Sequence, residues 1–367
     1  MSEAKVALAH EYFDVHGGAE AVVDVLHAMW PQAPVYSLFH DTDYGALPGW
    51  DLRLSPLQAF PHGGGVHRLL LPLYPWAAAR LAVEPDTDVV LTSTSAFVKG
   101  LTLDPHTAHV AYCHSPTRYL WDQREAYLAD EVPGPLRPLL VPLLDALRAA
   151  DLRSARRVDR WIANSAVVAS RIRDYYGAAA EVVHPPVDVP SFAPASERGD
   201  FWLFLGRLSP YKRPDIAVRA FASLGLRLIV AGEGRERGRL EQLAADNVEF
   251  AGRVDDATKR TLLASARGLV FPSDDDFGIV CVEALASGTP VVALNKGGAP
   301  EIVRDGVEGA LVTAPEPEAF ADAVLRVEHD RFEPAALHAS ASRFDRPRFE
   351  ARTREIVMEA VAHGRRS

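Results

Sequence analysis

Apolar residues occur along the chain in short runs, and an amphipathic stretch follows most of these runs. A run of about four to six apolar residues that ends at a turn is typical of a buried parallel strand, and the amphipathic stretch after it is typical of a helix. In the first half, the pattern predicts helices such as 18–30, 139–152 and 166–176, and strands at 5–9, 35–39, 88–92, 108–113, 160–163 and 181–184.

The alternation stops at the Pro185-Pro186 pair, and residues 186–200 combine proline, serine, alanine and charged residues without periodicity. Such a composition predicts a linker. The alternation then resumes and ends with two helices at 317–328 and 348–363. The strands predicted in this second half are 201–205, 226–231, 248–250, 268–271, 290–294 and 309–312.

Strands that alternate with helices at this spacing form a parallel sheet that is covered on both faces. We therefore predict an α/β protein with two doubly wound, Rossmann-like domains, residues 1–185 and 201–345, that face each other across a cleft. The remaining residues, 346–367, are predicted to form a C-terminal helix that can pack back on the first domain. Ligands of doubly wound sheets bind at the carboxyl ends of the strands, which is where candidate chemistry is expected.

Composition and charge narrow the classes of partner. The 367 residues include 39 Lys+Arg and 49 Asp+Glu, and the net charge of −10 argues against a dedicated nucleic-acid binder. Two cysteines, Cys113 and Cys281, lie far apart and indicate a reducing compartment without a disulfide framework. The sequence shows no signal peptide and no apolar run of membrane-spanning length. We therefore expect a cytoplasmic protein, either soluble or peripheral on the inner face of the cell membrane.

Two glycines, Gly17 and Gly18, lie between the first predicted strand and the first predicted helix. Glycine lets a backbone approach an anion closely, and a helix N-terminus offers unpaired N–H groups to that anion. An ordinary tight turn between a strand and a helix would use the same two glycines, so both interpretations stay open.

Arg207 and Lys212 follow the first predicted strand of the second domain, five positions apart. A guanidinium offers a planar fork and an ammonium offers a point charge, and together they suit a diphosphate. A solvated basic loop is the alternative, although such a loop has no reason to lie at the ligand end of a sheet.

An acidic loop in the second domain leads through Phe277 and Gly278 into a helix that is predicted to begin near Ile279. The first N–H groups of that helix can receive phosphate oxygens. Glu283 lies about one turn into the helix, where a carboxylate can accept hydrogen bonds from two ribose hydroxyls, and Asp275 on the loop can bond a sugar hydroxyl. Two alternatives stay open: a metal site on the aspartates, and a loop whose acidic residues only cap the helix.

His114 comes directly after the predicted strand 108–113. At the end of a buried strand, an imidazole can contact a donor sugar or respond to developing charge. A structural role in the core is the alternative for a single histidine. Cys113 and Cys281 are expected to be packing residues rather than nucleophiles.

Taken together, these motifs resemble family 4 of the retaining glycosyltransferases, which have the GT-B fold. The resemblance covers residues 5–362 and rests on Gly17-Gly18, on Arg207 with Lys212, on the loop and helix that end in Glu283, and on the turn Gly297-Gly298-Ala299-Pro300-Glu301-Ile302-Val303. One position departs from the family pattern, because Asp275 stands where the family has the first of two glutamates that are eight positions apart.

The resemblance implies a role for each matching residue. Arg207 and Lys212 would be catalytic by neutralising the diphosphate of a nucleotide sugar, and His114 and Asp275 would be catalytic beside its sugar. Glu283 would hold the ribose. Arg253 and Val254 would flank the base, and the backbone N–H groups of Gly278, Ile279 and Val280 would bind phosphate or sugar. Four further residues are also expected to bind substrate: Gly17, Gly18, Arg118 and Phe277.

Residues 113–121 and 182–188 look most like bacterial mannosyltransferases of surface-polysaccharide synthesis, which use GDP-mannose. The resemblance thus implies metal-independent transfer of a hexose, mannose from GDP-mannose, to a hydroxyl of a glycan or a lipid-linked saccharide, with retention. It implies no cofactor, since the nucleotide sugar is a co-substrate. Three alternatives stay open: a UDP-sugar-dependent glycosyltransferase, a nucleotide-sugar epimerase or hydrolase, and a non-catalytic sugar-nucleotide-binding protein.

Two stretches, 66–83 and 135–160, are both amphipathic and rich in arginine. Basic amphipathic segments can lie on an anionic membrane surface. A core helix with a solvated face has the same pattern, so a membrane partner is one of two interpretations.

Overall fold

The structure is a computed structural model, and it describes residues 4–61, 70–125, 128, 134 and 137–364. The chain divides into two compact units. The first consists of Met1–His184 and Phe349–Ser367, and the second consists of Pro185–Arg348. Parts of both basic amphipathic stretches, 66–69 and 135–136, lie outside the described residues, as does the end of the predicted C-terminal helix.

A parallel sheet of seven described strands forms the centre of the first unit, in the order β3-β2-β1-β4-β5-β6-β7. The strands are β1 Val6–His10, β2 Val35–Ser37, β3 Leu52–Leu54, β4 Val89–Thr94, β5 Ala108–Cys113, β6 Arg160–Ala163 and β7 Ala180–Val182. The six predicted strands are all present. The sequence pattern misses β3, because three half-buried residues are too few to show a period.

Both faces of this sheet are buried. In β1, Val6 and Leu8 pack into one hydrophobic cluster, and Ala7 and Ala9 pack into another. A strand buried on both faces has no polar side, which is why it reads as a continuous apolar run. The helices that cover the sheet are α1 Gly18–Met29, α2 Tyr74–Ala78, α3 Arg137–Ala155 and α4 Ala166–Tyr176.

Local signals set the ends of these helices. Helix α4 begins after Ser165, whose hydroxyl accepts a hydrogen bond from the N–H of Val168 at 3.3 Å. It ends at Gly177, which adopts the left-handed conformation at φ +67° and lets the chain leave the helix.

A second parallel sheet, of six described strands in the order β10-β9-β8-β11-β12-β13, forms the centre of the second unit. Its strands are β8 Phe201–Leu205, β9 Arg227–Ala231, β10 Val248–Gly252, β11 Leu269–Phe271, β12 Val291–Leu294 and β13 Gly309–Val312. Its helices are α5 Pro214–Leu224, α6 Arg237–Leu243, α7 Asp256–Ser265, α8 Ile279–Ala286, α9 Ala299–Ile302, α10 Pro317–His329 and α11 Pro334–Ala341. The predicted α/β class with two doubly wound, Rossmann-like sheets is confirmed.

The last helix, α12 Arg346–His363, returns to the first unit. Its buried residues Phe349, Ile356 and Val357 share a hydrophobic cluster with β1. The ring of Phe349 also packs edge-on against Tyr112 of β5, with the ring centroids 5.6 Å apart. The first unit is therefore built from two separate pieces of the chain.

Residues 186–200 belong to the second unit instead of forming an exposed linker. Val187, Val189 and Phe192 are buried in its core. The N–H of Val187 donates to the carbonyl oxygen of Phe344 at 3.1 Å. Because these apolar residues are irregularly spaced, the periodicity of the sequence does not predict their burial.

Cys113 and Cys281 are both buried free thiols, as expected for packing residues. Burial raises the pKa of the Cys281 thiol well above its usual value, which keeps it protonated. Among the described helices, none is both long enough and apolar enough to cross a membrane.

Candidate active site

Glycines bring the loops at the carboxyl edge of the second sheet into close backbone contact. A Cβ on Gly232, directly after β9, would overlap the carbonyl oxygen of Gly206, directly after β8. A Cβ on Gly234 would likewise overlap the carbonyl oxygen of Leu208. The loop that carries Arg207 is therefore held against its neighbour by the backbone.

The loop after β12 supports Asp275 in the same way. Gly297 adopts φ +63°, and a Cβ on it would overlap the carbonyl oxygen of Asp275. The N–H of Gly298 donates to that same oxygen at 2.9 Å. The overlap and the positive φ explain why Gly297, which carries part of the family resemblance, has no side chain.

Lys212 and Asp275 form an ion pair at this edge of the sheet, although 63 positions separate them. Lys212 Nζ donates to one carboxylate oxygen of Asp275, and Ser273 Oγ donates to the other. Burial lowers the pKa of the Lys212 ammonium, but the charge of Asp275, its hydrogen bond and the smaller effects of Tyr211 and Cys281 together raise it by more, so the pKa lies above its usual value. The site therefore holds a fixed cation that an incoming anion would share with Asp275.

Arg207 is exposed, and its guanidinium has no side-chain partner among the described residues. The buried Leu208 anchors the loop next to it. A guanidinium in this state is available to a ligand, with two parallel N–H groups that fit phosphate oxygens. The structure thus pairs Lys212 with Asp275 and leaves Arg207 in solvent at the same sheet edge.

Helix α8 begins at Gly278, which adopts φ +96° and ψ 57° and has no capping side chain. Phe277, next to it, is buried and packs edge-on against Phe344 at a centroid distance of 5.6 Å. Ile279 and Val280 pack partly buried against the core. The first N–H groups of α8 are therefore free of side-chain caps and carry the positive end of the helix dipole.

Glu283, in the second turn of α8, accepts a hydrogen bond from Lys259 Nζ of α7 at 2.8 Å. Burial lowers the pKa of Lys259, but its charge interactions and hydrogen bonds with Glu283 and Asp256 together raise it by more, so the pKa of Lys259 lies above its usual value. A carboxylate held by one lysine still has acceptor capacity for hydroxyl groups. Nothing in the sequence singles out Lys259, because it is only one polar residue of the amphipathic helix α7.

Arg253 and Val254 follow β10. Arg253 is exposed, and Val254 packs partly buried against the core. Gly252, the residue before them, adopts φ +68°. The structure places both residues at the carboxyl edge of the second sheet.

The aspartates of the acidic loop do not form a metal centre with other ligands in the described parts of the chain. No group of three or more His, Cys, Asp and Glu side chains is placed there to hold a metal ion. Asp275 is instead engaged by Lys212 and Ser273.

In the first unit, Gly17 is the N-cap of α1 and Gly18 is its first residue. A Cβ on Gly17 would lie 2.9 Å from Oε2 of Glu20, so the lack of a side chain makes room for that carboxylate. Glu20 is buried in the first turn of α1. The glycine pair thus serves the packing of Glu20 as well as the turn.

His114 lies just past the end of β5. Its N–H donates to the carbonyl oxygen of Thr94 at 3.0 Å, and its own carbonyl accepts from Nδ2 of Asn164 at 2.8 Å. Its ring atom Nε2 lies 2.7 Å from Oγ of Ser93. Burial, with the nearby His10 as a lesser cause, lowers the pKa of His114 to about 3, so the ring is neutral at physiological pH.

Ser93 connects His114 to further buried polar groups. Its Oγ lies 3.0 Å from Nδ1 of His10, and Nε2 of His10 lies 3.5 Å from Oε1 of Glu20. Ser93 and His10 are not among the residues predicted from the sequence. Both are polar residues at the carboxyl ends of apolar strands, the same signal that identifies His114.

Arg118 follows in the same loop as His114, near the first-sheet edge. Its guanidinium pairs with Asp122 at 3.1 Å, four positions along the chain. Arg171 lies 3.8 Å from the same carboxylate. Arg118 is thus held in an ion-pair cluster at the surface.

Two family comparisons cover most of the chain. Residues 16–190 match Glycosyltransferase Family 4, and residues 191–344 match Glycosyl transferases group 1. Together the two matches cover residues 16–344, and the chain has the fold of the GT-B glycosyltransferases. The boundary between the two matches lies close to the boundary between the structural units of this GT-B protein.

Curated relatives of this GT-B protein include D-inositol 3-phosphate glycosyltransferases. One from Streptomyces griseus is 36% identical over 216 residues, which is 46% of either chain. Another, from Mycobacterium tuberculosis strain H37Ra, is 37% identical over 192 residues, 45% of this chain and 40% of that protein. The chain thus spans less than half the length of these relatives.

Solved structures show the same fold at low sequence identity. Anabaena HepE in complex with UDP and glucose aligns over 97% of this chain and 100% of its own, with a TM-score of 0.70 and 18% identity. Sucrose-phosphate synthase from Thermosynechococcus elongatus aligns over 98% of this chain and 100% of its own, with a TM-score of 0.75 and 19% identity.

Proposed function

We propose that this GT-B protein transfers a hexose from a nucleotide diphosphate sugar to an acceptor hydroxyl, with retention at the anomeric carbon. The observation that carries the proposal is the Lys212–Asp275 pair, with Arg207 exposed in the same loop region. Two cations at the carboxyl edge of a doubly wound sheet match the charge of a diphosphate.

Departure of the diphosphate is the step that this charge would assist. The bond between the anomeric carbon and the diphosphate oxygen breaks as negative charge grows on that oxygen. Lys212, Arg207 and the first N–H groups of α8 would stabilise the charge. Because the cations belong to the chain itself, the proposal involves no metal ion.

The acceptor oxygen would bond to the anomeric carbon on the face from which the diphosphate departs. Its proton would pass to the departing phosphate oxygen, so the balance of atoms needs no protein nucleophile. This same-face step follows the family resemblance. Asp275 would bond a sugar hydroxyl, and its second role would be to hold Lys212 between turnovers.

The remaining residues would position the donor. Glu283 would accept hydrogen bonds from the ribose hydroxyls, and Arg253 with Val254 would flank the base. Gly17, Gly18 and Arg118 of the first unit would be further substrate contacts, and His114 would face the donor sugar.

For the donor, we propose mannose carried by GDP, because residues 113–121 and 182–188 resemble GDP-mannose-dependent enzymes. A UDP-hexose is the second candidate, favoured by the similar fold of Anabaena HepE, which was solved with UDP-glucose. A donor panel that compares GDP-mannose with UDP- and other nucleotide sugars, read by released nucleotide, tests both. Release from none of them would reject the proposed transfer.

For the acceptor, we propose a hydroxyl on a glycan or a lipid-linked saccharide. The panel also includes inositol phosphates, because the curated relatives are named for them. Product analysis with labelled donor, with and without acceptor, separates transfer from epimerisation or hydrolysis. Donor binding by calorimetry without turnover on any acceptor would instead indicate a non-catalytic binding protein.

A peripheral membrane contact is part of the proposal. Three apolar side chains are exposed: Leu73 directly before α2, Trp76 on α2 and Val141 on α3. Buried residues of α2 and α3 belong to one hydrophobic cluster. The guanidinium of Arg80 lies 5.4 Å from the Trp76 ring centroid. Flotation with anionic liposomes, weakened by Trp76→Ser, tests this contact, and wild-type protein that stays at the bottom of the gradient would reject it.

A further inference from the structure

An ion pair of the second unit lies against the carboxyl end of β10. Glu233, in the loop after β9, accepts a hydrogen bond from Nη1 of Arg237, the first residue of α6. A Cβ on Gly252, the last residue of β10, would lie 3.0 Å from Oε1 of Glu233 and 3.5 Å from Nη1 of Arg237. The pair therefore borders Arg253 and Val254, the next two residues, which are proposed to flank the base of a donor.

The backbone hydrogen bonds of the loop after β9 give Glu233 a fixed place. The N–H of Gly232 donates to the carbonyl oxygen of Gly252 at 2.7 Å, which joins this loop to the end of β10. The carbonyl oxygen of Glu233 accepts from the N–H of Leu208 at 2.9 Å, which joins the loop to the one after β8. The loop is thus held on both sides, and its carboxylate stays beside the end of β10.

Both members of the pair have hydrogen-bonding capacity left for a ligand. Nε of Arg237 donates to Glu241 at 2.9 Å, whereas Nη2 of Arg237 and Oε2 of Glu233 have no hydrogen-bond partner among the described residues. The side chains of Glu233 and Arg237 are 50% and 37% exposed. A carboxylate can only accept hydrogen bonds, and a guanidinium can only donate them. The pair therefore presents an acceptor next to a donor at this sheet edge.

This arrangement is complementary to one edge of guanine, where the amino group on C2 and the N1–H are donors and O6, next to them, is an acceptor. A carboxylate can accept from both donors while the neighbouring guanidinium donates to O6. Uracil has one N–H between two carbonyl oxygens, so an oxygen of the carboxylate would face a carbonyl. Adenine has an acceptor at N1 and an amino group in place of O6, so it would oppose both members of the pair.

We propose that Glu233 and Arg237 are specificity-determining residues that select guanine as the base of the donor. Glu233 accepts hydrogen bonds from N1–H and from the amino group, and Arg237 donates to O6. The assignment rests on the proposed function, because it takes the ligand at this sheet edge to be a nucleotide sugar. It does not depend on the resemblance of residues 113–121 and 182–188 to GDP-mannose-dependent enzymes.

The first test compares four nucleoside diphosphates by calorimetry with the full wild-type chain: GDP, inosine diphosphate, UDP and ADP. Inosine diphosphate has the base edge of GDP without the amino group, so it should bind about tenfold more weakly than GDP. UDP and ADP should bind roughly 10- to 100-fold more weakly than GDP. Binding of UDP or ADP as tight as that of GDP would overturn the inference and leave the proposed transfer intact. Binding of none of the four would reject the nucleotide-sugar donor itself.

The second test assigns each contact to its residue. Glu233→Gln has one acceptor oxygen in place of two, so its preference for GDP over inosine diphosphate should disappear. Arg237→Met should weaken the binding of both nucleotides by the same factor, since both carry O6. A preference that survives Glu233→Gln, or wild-type affinity for GDP in Arg237→Met, would overturn the assignment.

Glu241→Gln is the matched control. Glu241 belongs to the same ion-pair network, because it accepts from Nε of Arg237 at 2.9 Å from the next turn of α6. The substitution removes one negative charge from this network and leaves Glu233 in place, so the ratio of the two affinities should stay at its wild-type value. If Glu241→Gln abolishes the preference as Glu233→Gln does, the effect comes from net charge and the proposed base contact is wrong. Circular dichroism checks the fold of each variant.

Discussion

The ammonium of Lys212 donates to the same carboxylate of Asp275 that Ser273 engages from the other side. A ligand that attracts Lys212 must therefore compete with an existing ion pair. The first prediction therefore concerns Lys212. Removal of its side chain should weaken the stabilisation of a bound diphosphate much more than it lowers the stability of the fold.

Lys212→Ala is expected to lower kcat by about 10²- to 10³-fold, the cost of losing one preorganised charge in a transition state. Arg219→Ala, which removes an exposed arginine from the outer surface of α5, is the control and should keep wild-type rates. Released nucleotide measures the rate, and circular dichroism checks the fold. Wild-type transfer by Lys212→Ala would refute the diphosphate assignment.

Glu283→Ala is expected to raise KM for the donor about tenfold, because hydrogen bonds to a charged acceptor are lost. Lys259 would also lose its partner, so Lys259→Met is the comparison that separates the two effects. The wild type should bind a donor with a deoxyribose more weakly than the complete donor. Glu283→Ala should bind the two donors equally well. Equal discrimination of the two donors by both proteins would contradict a ribose contact.

Gly297→Ala is expected to lower the free energy of unfolding by about 2 kcal/mol or more, because alanine is strained at positive φ and its Cβ would overlap Asp275. The displaced loop should also weaken donor binding. Gly238→Ala is the matched control, since that glycine lies in α6 and a Cβ added to it would meet no atom within 4 Å. It should stabilise the protein by about 0.5–1 kcal/mol. Denaturant unfolding measures both, and equal stability of the two variants would contradict the close approach.

Glu308 gives a prediction for acid stability. The buried carboxylate accepts hydrogen bonds from Arg304 and lies 3.1 Å from Arg343. Burial raises its pKa, but the two arginines lower it by more, so the folded pKa lies below the usual 4.5. The stabilisation is thus complete above about pH 4.5 and is lost as the pH falls through the folded pKa.

Glu308→Gln should therefore destabilise the protein by about 1–3 kcal/mol at pH 7. The range takes into account that solvent screens the exposed Arg304 and weakens its ion pair with Glu308. The difference between variant and wild type should shrink as the pH falls below about 4.5. Urea unfolding curves at a series of pH values test this. A difference that stays constant down to pH 3 would show that Glu308 does not titrate with folding.

Sequence patterns predict the two sheets well because strands buried on both faces are short apolar runs with turns between them. They miss β3, where Leu52–Leu54 is half-buried and brief. They also hide the burial of Val187 and Phe192, because residues packed from an irregular segment show no period.

The candidate site is only partly predictable for a different reason. Single residues at strand ends are visible in the sequence, and Lys212, Asp275 and His114 are found in this way. Contacts between distant loops are not, so the pairing of Lys259 with Glu283 and the link through Ser93 require the folded chain.

The return of α12 to the first sheet has a consequence for synthesis. The second unit is one continuous segment, Pro185–Arg348, so its core can be complete while the chain is still being made. The first unit cannot bury the face that Phe349, Ile356 and Val357 cover until those residues leave the ribosome. A cut at residue 185 would therefore yield an N-terminal fragment with an open apolar face and a tendency to aggregate, whereas 185–348 could be produced alone.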